Sequence, residues 1–336
     1  MAGNVAEWLA NPSGEGRAAT AGAWDGPAHI FSEFSGLDPF FSSASLGFRL
    51  VALESDRRRI SRDQGGTRLE AEPEVPIYEP EDAEAVDRYR ALFDYDPIAL
   101  NPEIVGEVDG GRWVREDVLI ESPFGGTIPI FLFLPKAALP PYQTLLYVPS
   151  GATLFGSPVP ADAEWVMGPI AQSGRAVAAI ALSGMTGNEW PGDWTPPEPS
   201  SVRFRNEFAQ NAVEMRLALD YLESRDDIDA ERIGYSAFSF GAGSRGALSA
   251  LDDRFRVAVL MGGGIDERVR PVRPEVDPVN YLPSLEIPIL AVQGRHDEEH
   301  PYYTRFLPFY NLLPPDRTTL ELVPGGGHLV RPEYRV

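Results

Sequence analysis

From residue 81 onward the sequence predicts an α/β fold, a mostly parallel sheet with helices on both faces, and three observations carry that prediction. Short apolar runs suited to buried parallel strands recur at 144–148, 176–182 and 257–261. Between them lie helical stretches. The clearest is 206–223, where Phe208, Ala212, Met215, Leu219 and Leu222 recur at three- and four-residue steps and so share one face. The strand at 232–236 then runs into Ala237-Phe238-Ser239-Phe240-Gly241, whose small residues suit a sharp strand-to-helix turn.

In chain order, Asp82 and its acidic neighbours cap a helix reaching Tyr95. Strands at 114–120 and 128–134, joined by the Gly125-Gly126 turn, form the antiparallel edge of the sheet. A strand at 144–148, a helix at 165–172 and a strand at 176–182 follow, then the long helix. After the 232–236 strand come a helix at 241–251, strands at 257–261 and 287–293, a helix at 302–312 and a last strand, Thr318–Val323.

Ahead of this domain, residues 1–53 are rich in Gly, Ser, Phe and Trp without a helical period and read as an irregular appendage. The charged and proline-containing stretch 54–80 reads as a linker. The expected division is therefore 1–53, 54–80 and 81–336.

Composition narrows the chemistry. The 336 residues are 43% hydrophobic and 10% aromatic, enough for a sizeable core and unlike a disordered chain. No stretch approaches the roughly 20 apolar residues needed to span a bilayer. The opening Met1-Ala2-Gly3-Asn4 lacks a basic or apolar leader, so a soluble, cytoplasmic protein is expected. The absence of cysteine removes disulfides, thiol nucleophiles, zinc-thiolate sites and iron–sulfur clusters; with four histidines a His-rich metal centre is not expected either. Neither metal nor cofactor is called for. A net charge of −21, from 50 acidic against 29 basic residues, disfavours nucleic acid and anionic membrane as partners.

The turn at Ser239 points to nucleophilic catalysis. Such an elbow forces its central residue into a strained backbone, so the residues two before and two after must be small, as Ala237 and Gly241 are. Ser236 fails this test, because Phe238 stands two positions later. A nucleophilic serine needs a base, and the base needs a carboxylate to fix its tautomer, in the chain order Ser, acid, His for this kind of sheet. The strand ending at 293 leads into Gly294-Arg295-His296-Asp297, which makes Asp297 the candidate acid, with Glu298 and Glu299 as fallbacks. The last strand leads into Pro324-Gly325-Gly326-Gly327-His328, whose glycines let the loop curl back; His328 is the candidate base. His29, His296 and His300 break the order or lie in the leader. Oxyanion donors are expected from the N–H of Phe240 and, in the loop after the 144–148 strand, from Ala152. Ser150 stands where that loop more often carries a histidine.

Taken together, segments 218–225 and 228–234, the elbow, Ile287-Pro288-Ile289-Leu290, 294–297 and Gly326-Gly327-His328 resemble a bacterial α/β-hydrolase of the acetylxylan-esterase and dienelactone-hydrolase-like group. The resemblance implies an α/β-hydrolase fold and cofactor-free carboxylesterase activity. Alanine at 237 replaces the usual first glycine of the elbow motif. Gly3-Asn4-Val5-Ala6-Glu7-Trp8, 21–24 and 47–51 resemble the C-terminal end of a formylglycine-generating, sulfatase-modifying enzyme domain, whose oxidation chemistry needs cysteines that this chain lacks. That pairing of domains resembles the C-terminal part of some multidomain bacterial serine/threonine kinases. Members of the hydrolase group continue past the histidine into a closing helix, whereas this chain stops at Val336. The leader, or a second copy in a homodimer, is expected to cover the exposed face.

The Trp- and Pro-rich segment 184–201 lies where loops shape a pocket, and Trp190, Trp194 and Phe155 are candidate lining residues for a small-molecule ester. Two other readings stay open: an amidase or peptidase using the same three residues, and a catalytically silent hydrolase-fold module.

Overall fold

A computed structural model describes residues 5–13, 16–20, 23, 34–48, 74–190, 195–324 and 326–328. The chain divides into two compact units. The smaller holds the described residues of Met1–Pro76, Gln293–Pro308 and Leu322–Val336; the larger comprises Ile77–Val292 and Phe309–Glu321. Most of the 54–80 stretch, read as a linker, lies outside the described residues.

In the smaller unit the described residues of the leader, expected to be irregular, hold a sheet. Its four strands are β1 (Ala6–Ser13), β2 (Gly16–Thr20), β3 (Phe34–Leu37) and β4 (Leu46–Gly47), in the order β3-β2-β1-β4. Its strands are short and broken by small residues, so alternation is hard to see in the sequence. Ala6, Ala19 and Leu37 are buried between them.

The larger unit opens with helix α1 (Ala83–Arg90), capped as expected by Asp82, whose carboxylate accepts from the Ala85 N–H at 2.8 Å. Then come β5 (Glu103–Asp109), β6 (Trp113–Glu121), β7 (Thr127–Pro135) and β8 (Tyr142–Val148). Helix α2 (Val159–Gln172) precedes β9 (Ala176–Ile180), and α3 (Val202–Glu223) precedes β10 (Ile228–Phe238). After one turn, α4 (Phe240–Gly243), come β11 (Phe255–Met261), β12 (Ile289–Gly294), the short α5 (Leu307–Tyr310) and β13 (Thr318–Val323).

The nine strands lie in the order β13-β12-β11-β10-β8-β9-β7-β6-β5. From β9 through β8, β10 and β11 to β12 every pairing is parallel, while β9–β7, β7–β6 and β6–β5 are antiparallel. β6 and β7 are thus the expected antiparallel pair, but the edge itself is β5. That strand is exposed along most of its length and interrupted by Gly106, so it shows neither an apolar run nor a clean alternation.

Burial follows the sequence pattern at the centre. All of β9 is buried, and Phe208, Ala212, Met215, Leu219 and Leu222 of α3 are each 0% exposed. Ser201 caps α3, its Oγ accepting from the Phe204 N–H at 3.1 Å.

Two expected helices are broken. In place of a helix over 241–251 there is α4, a gap, and a 3₁₀ turn at Gly246–Ala250. The buried Tyr235 phenol explains the break: it donates to the carbonyl of Arg245 at 2.8 Å and, more weakly, to that of Gly241 at 3.3 Å. The Arg245 N–H then bonds the Phe240 carbonyl, five residues back, instead of Gly241. In place of the helix over 302–312 stands a wide turn at Tyr302–Phe306 running into α5, with Pro308 inside it. There the Phe306 N–H reaches five residues back to the Pro301 carbonyl. No helix among the described residues is long and apolar enough to cross a membrane.

Candidate active site

Ser239 stands at the end of β10 with φ 57° and ψ −115°. Among the described non-glycine residues only Asn101 shares a positive φ. Such a conformation costs on the order of 1–3 kcal/mol and persists only where its surroundings impose it. Here they do. The Ser239 N–H donates to the Met261 carbonyl of β11 at 2.8 Å, and its carbonyl accepts from Ala242 at 3.0 Å and Gly243 at 2.8 Å. A Cβ on Gly241 would lie 2.4 Å from the Val148 carbonyl oxygen, so the residue two beyond the serine must be glycine. Ala237, 0% exposed, faces Val148 and Leu260 across the parallel ladders. The competing Ser236 is fully buried, its Oγ 3.5 Å from the Met167 sulfur. Because α4 is a single turn, its dipole adds less at Ser239 than a full helix would.

The loop after β8 is locked by a buried carboxylate that the sequence reading did not single out. Asp162 of α2, 1% exposed, accepts from the Tyr147 hydroxyl at 2.7 Å, the Ser150 hydroxyl at 2.5 Å and the Ser150 N–H at 3.3 Å. Gly151 consequently lies against Phe240, whose Cβ is 3.3 Å from the place a Gly151 side chain would take. The Ala152 N–H faces the Ser150 Oγ at 3.3 Å, a long bond that leaves it weakly engaged. A second buried acid, Glu214, holds the start of the loop after β9. It accepts from the Ser183 N–H and hydroxyl and from Gln210 at 3.0 Å, and burial pushes its pKa up.

The smaller unit brings the acid and base candidates together. His328 Nδ1 lies 2.9 Å from Asp297 Oδ2, and the residues are 7% and 3% exposed. Asp297 is fully engaged: Oδ1 accepts from the Glu299 and His300 N–H groups at 2.9 and 2.7 Å, and Oδ2 also accepts from Gln293 Nε2 at 2.8 Å. Burial alone would raise this carboxyl, but the His328 charge, their hydrogen bond and His300 outweigh it and hold it below its ordinary value. For His328, burial acts downward and is overcome by Asp297, with help from Glu298 and Glu299, so the imidazole is pushed up to about 9. The fallback Glu298 accepts from the His328 backbone N–H at 3.3 Å.

Asp297, His300 and His328 place ligand atoms within 4.8 Å of one another, a spacing a transition metal could use. A carboxylate already surrounded by four donors is better suited to orienting an imidazole than to binding an ion. His296 is held apart from this pair. Its Nε2 lies 3.9 Å from Asp38 of the leader, and Gly16 packs so closely on its ring that a Cβ there would stand 3.1 Å from Nδ1.

The base loop passes tightly over the end of β12. A Cβ on Gly294 would lie 2.2 Å from the Gly327 carbonyl oxygen and 2.6 Å from that of Gly326. Gly294→Val should therefore displace the loop that carries His328, and any catalysis that uses His328 as its base should fall by up to about 10²-fold in kcat, because a base tolerates little misplacement. Steady-state kinetics on a variant shown by its melting curve to be folded checks this.

Of the three candidate pocket aromatics, Phe155 is 83% exposed at the end of the 3₁₀ turn Gly151–Phe155. Trp190 is half-buried with its indole over Gly184, and Trp194, like His29, lies outside the described residues. Ser239, Phe240 and Ala152 belong to the larger unit, Asp297 and His328 to the smaller.

The fold is similar to that of solved structures. Acetyl xylan esterase from Paenibacillus sp. R4 matches with a TM-score of 0.58 at 20% identity, over 77% of this chain and 94% of its own. Acetyl xylan esterase 1 from a Thermoanaerobacterium species matches at 0.55 and 16% identity, over 78% and 92%. The chain has the α/β-hydrolase fold. A glucuronoyl esterase from Solibacter usitatus, at 0.50 and 18% identity over 77% and 96%, shares this α/β-hydrolase architecture. No family model matches the chain, and no curated protein matches it by sequence. Within the α/β-hydrolase fold, a serine at positive φ after a central parallel strand occupies the position where a nucleophile is presented.

Proposed function

We propose that this chain is a serine carboxylesterase hydrolysing short-chain esters through an acyl-enzyme, with Ser239 as nucleophile, His328 as base and Asp297 as acid. The observation that carries the reading is the backbone of Ser239, which its surroundings hold at φ 57°, the kind of strained turn that presents a nucleophile's hydroxyl. With Nδ1 engaged by Asp297, the His328 ring offers Nε2 for proton transfer. Ser239 Oγ adds to the ester carbonyl carbon as its proton passes to Nε2. The N–H groups of Phe240 and Ala152 are the proposed donors to the resulting oxyanion. Collapse breaks the carbon–oxygen bond to the alcohol, which leaves with the proton from Nε2. Water, deprotonated by the same imidazole, then releases the acid and restores the serine.

The acetyl xylan esterases named above act, by their names, on acetyl xylan, which supports a short acyl group here. Activity should be greatest on nitrophenyl acetate, fall steadily from butyrate to octanoate, and be undetectable on acetyl nitroanilide. Rapid anilide cleavage would indicate an amidase instead, and no turnover of any ester would indicate a silent module.

A further inference from the structure

Arg245 is a buried cation that the proposed chemistry leaves unused. It is 7% exposed, and its Nη1 is buried with no hydrogen-bond partner among the described residues. Its one side-chain hydrogen bond runs from Nε to Asn211 Oδ1 at 3.2 Å. Among the described residues no carboxylate bonds it. Glu207, whose charge acts on it, is itself paired with Arg203 at 2.8 Å. What surrounds the guanidinium instead is aromatic: its Cζ lies 4.7 Å from the Phe240 ring centroid, 4.8 Å from Phe208 and 5.9 Å from Phe204.

Burying a charge without a counter-ion is costly, and an unsatisfied donor adds to the cost. Ring faces offset part of that penalty and none of them neutralises the charge. Burial pushes the guanidinium pKa down to about 10, so it remains charged near neutrality. A fixed positive charge in surroundings of low polarisability exerts its field over several ångströms with little loss. The residue it stacks on, Phe240, is the one whose N–H is assigned to the oxyanion.

We propose that Arg245 is an electrostatic positioning residue of the oxyanion hole: its guanidinium, which has no bonded counter-ion among the described residues and lies over the Phe240 ring, stabilises the negative charge that develops on the substrate carbonyl oxygen. The proposal rests on the assignment of Ser239 as nucleophile. Because that charge exists only in the transition state, the contribution belongs to kcat and leaves KM nearly untouched. Removing a direct oxyanion donor costs about 10²–10³ in rate, and a charge acting across a ring should be worth less, on the order of tenfold.

The test compares wild type, Arg245→Lys and Arg245→Met on nitrophenyl acetate, with Ser239→Ala as the blank and melting curves to establish folding. Methionine keeps length and apolar contact while removing charge; lysine keeps the charge on a different head group. The expected result is a kcat about tenfold lower in Arg245→Met, KM within about threefold, and recovery of much of the rate in Arg245→Lys. Equal impairment of the two variants, or wild-type kcat in the methionine variant, would overturn the role of Arg245 while leaving Ser239 as nucleophile intact. A wild-type protein no faster than Ser239→Ala would overturn both.

Discussion

Ser239→Ala is expected to cut ester hydrolysis by about 10⁴–10⁶ while leaving the melting temperature within a few degrees of wild type. The size of the loss follows from the proposed mechanism, in which ester cleavage passes through a covalent bond to Oγ. Neither Ser236, 0% exposed inside β10, nor Ser150, whose hydroxyl is spent on Asp162, can substitute. The small stability change follows from the backbone. Alanine has a Cβ like serine, so the strain at φ 57° is the same in both, and the bonds to Met261, Ala242 and Gly243 are main-chain bonds. Initial rates on nitrophenyl acetate, set against the uncatalysed rate, measure the effect.

Asp297→Asn should cost about 10⁴ in kcat and also shift the pH profile. The amide is nearly isosteric, but its NH₂ competes for the role of donor toward His328 Nδ1 and favours the wrong tautomer. The charge that holds the imidazole up is lost as well. In the wild-type protein His328 is pushed up to about 9, and only the neutral ring can take the serine proton. The log of kcat/KM should therefore rise with unit slope through neutral pH and level off towards that value. In Asp297→Asn burial still acts downward on the imidazole while its chief opposition is gone, so the limb should move to lower pH. A wild-type limb at or below pH 6.5, the ordinary imidazole range, would show that Asp297 does not govern His328.

The parts of this molecule legible in its sequence are those where one local pattern suffices. The buried face of α3 was readable residue by residue, because five apolar side chains at helical steps admit one arrangement. Thr318–Val323 was readable to its ends. So was the sharp turn at Ser239, since small residues at 237 and 241 are a steric requirement of the elbow. What the sequence concealed depends on partners far along the chain. A phenol at position 235 interrupts the helix expected over 241–251 by taking its carbonyls. Asp162 and Gln293 look like ordinary helix and strand residues until Ser150 and Asp297 are set beside them. The edge strand β5, exposed along most of its length and broken by Gly106, and the four strands of the leader lack the periodicity that identifies a strand. Arg245 carries no local signal at all, because three rings drawn from two segments enclose it.

The most direct measurement is covalent capture of the nucleophile. A fluorophosphonate traps a serine only when an adjacent base has activated it, so labelling followed by peptide mass spectrometry reports the whole assembly. One adduct on Ser239, lost or slowed at least about 10²-fold in His328→Ala, is the predicted result. An intact protein mass unchanged after prolonged exposure, or an adduct on another residue, would contradict it.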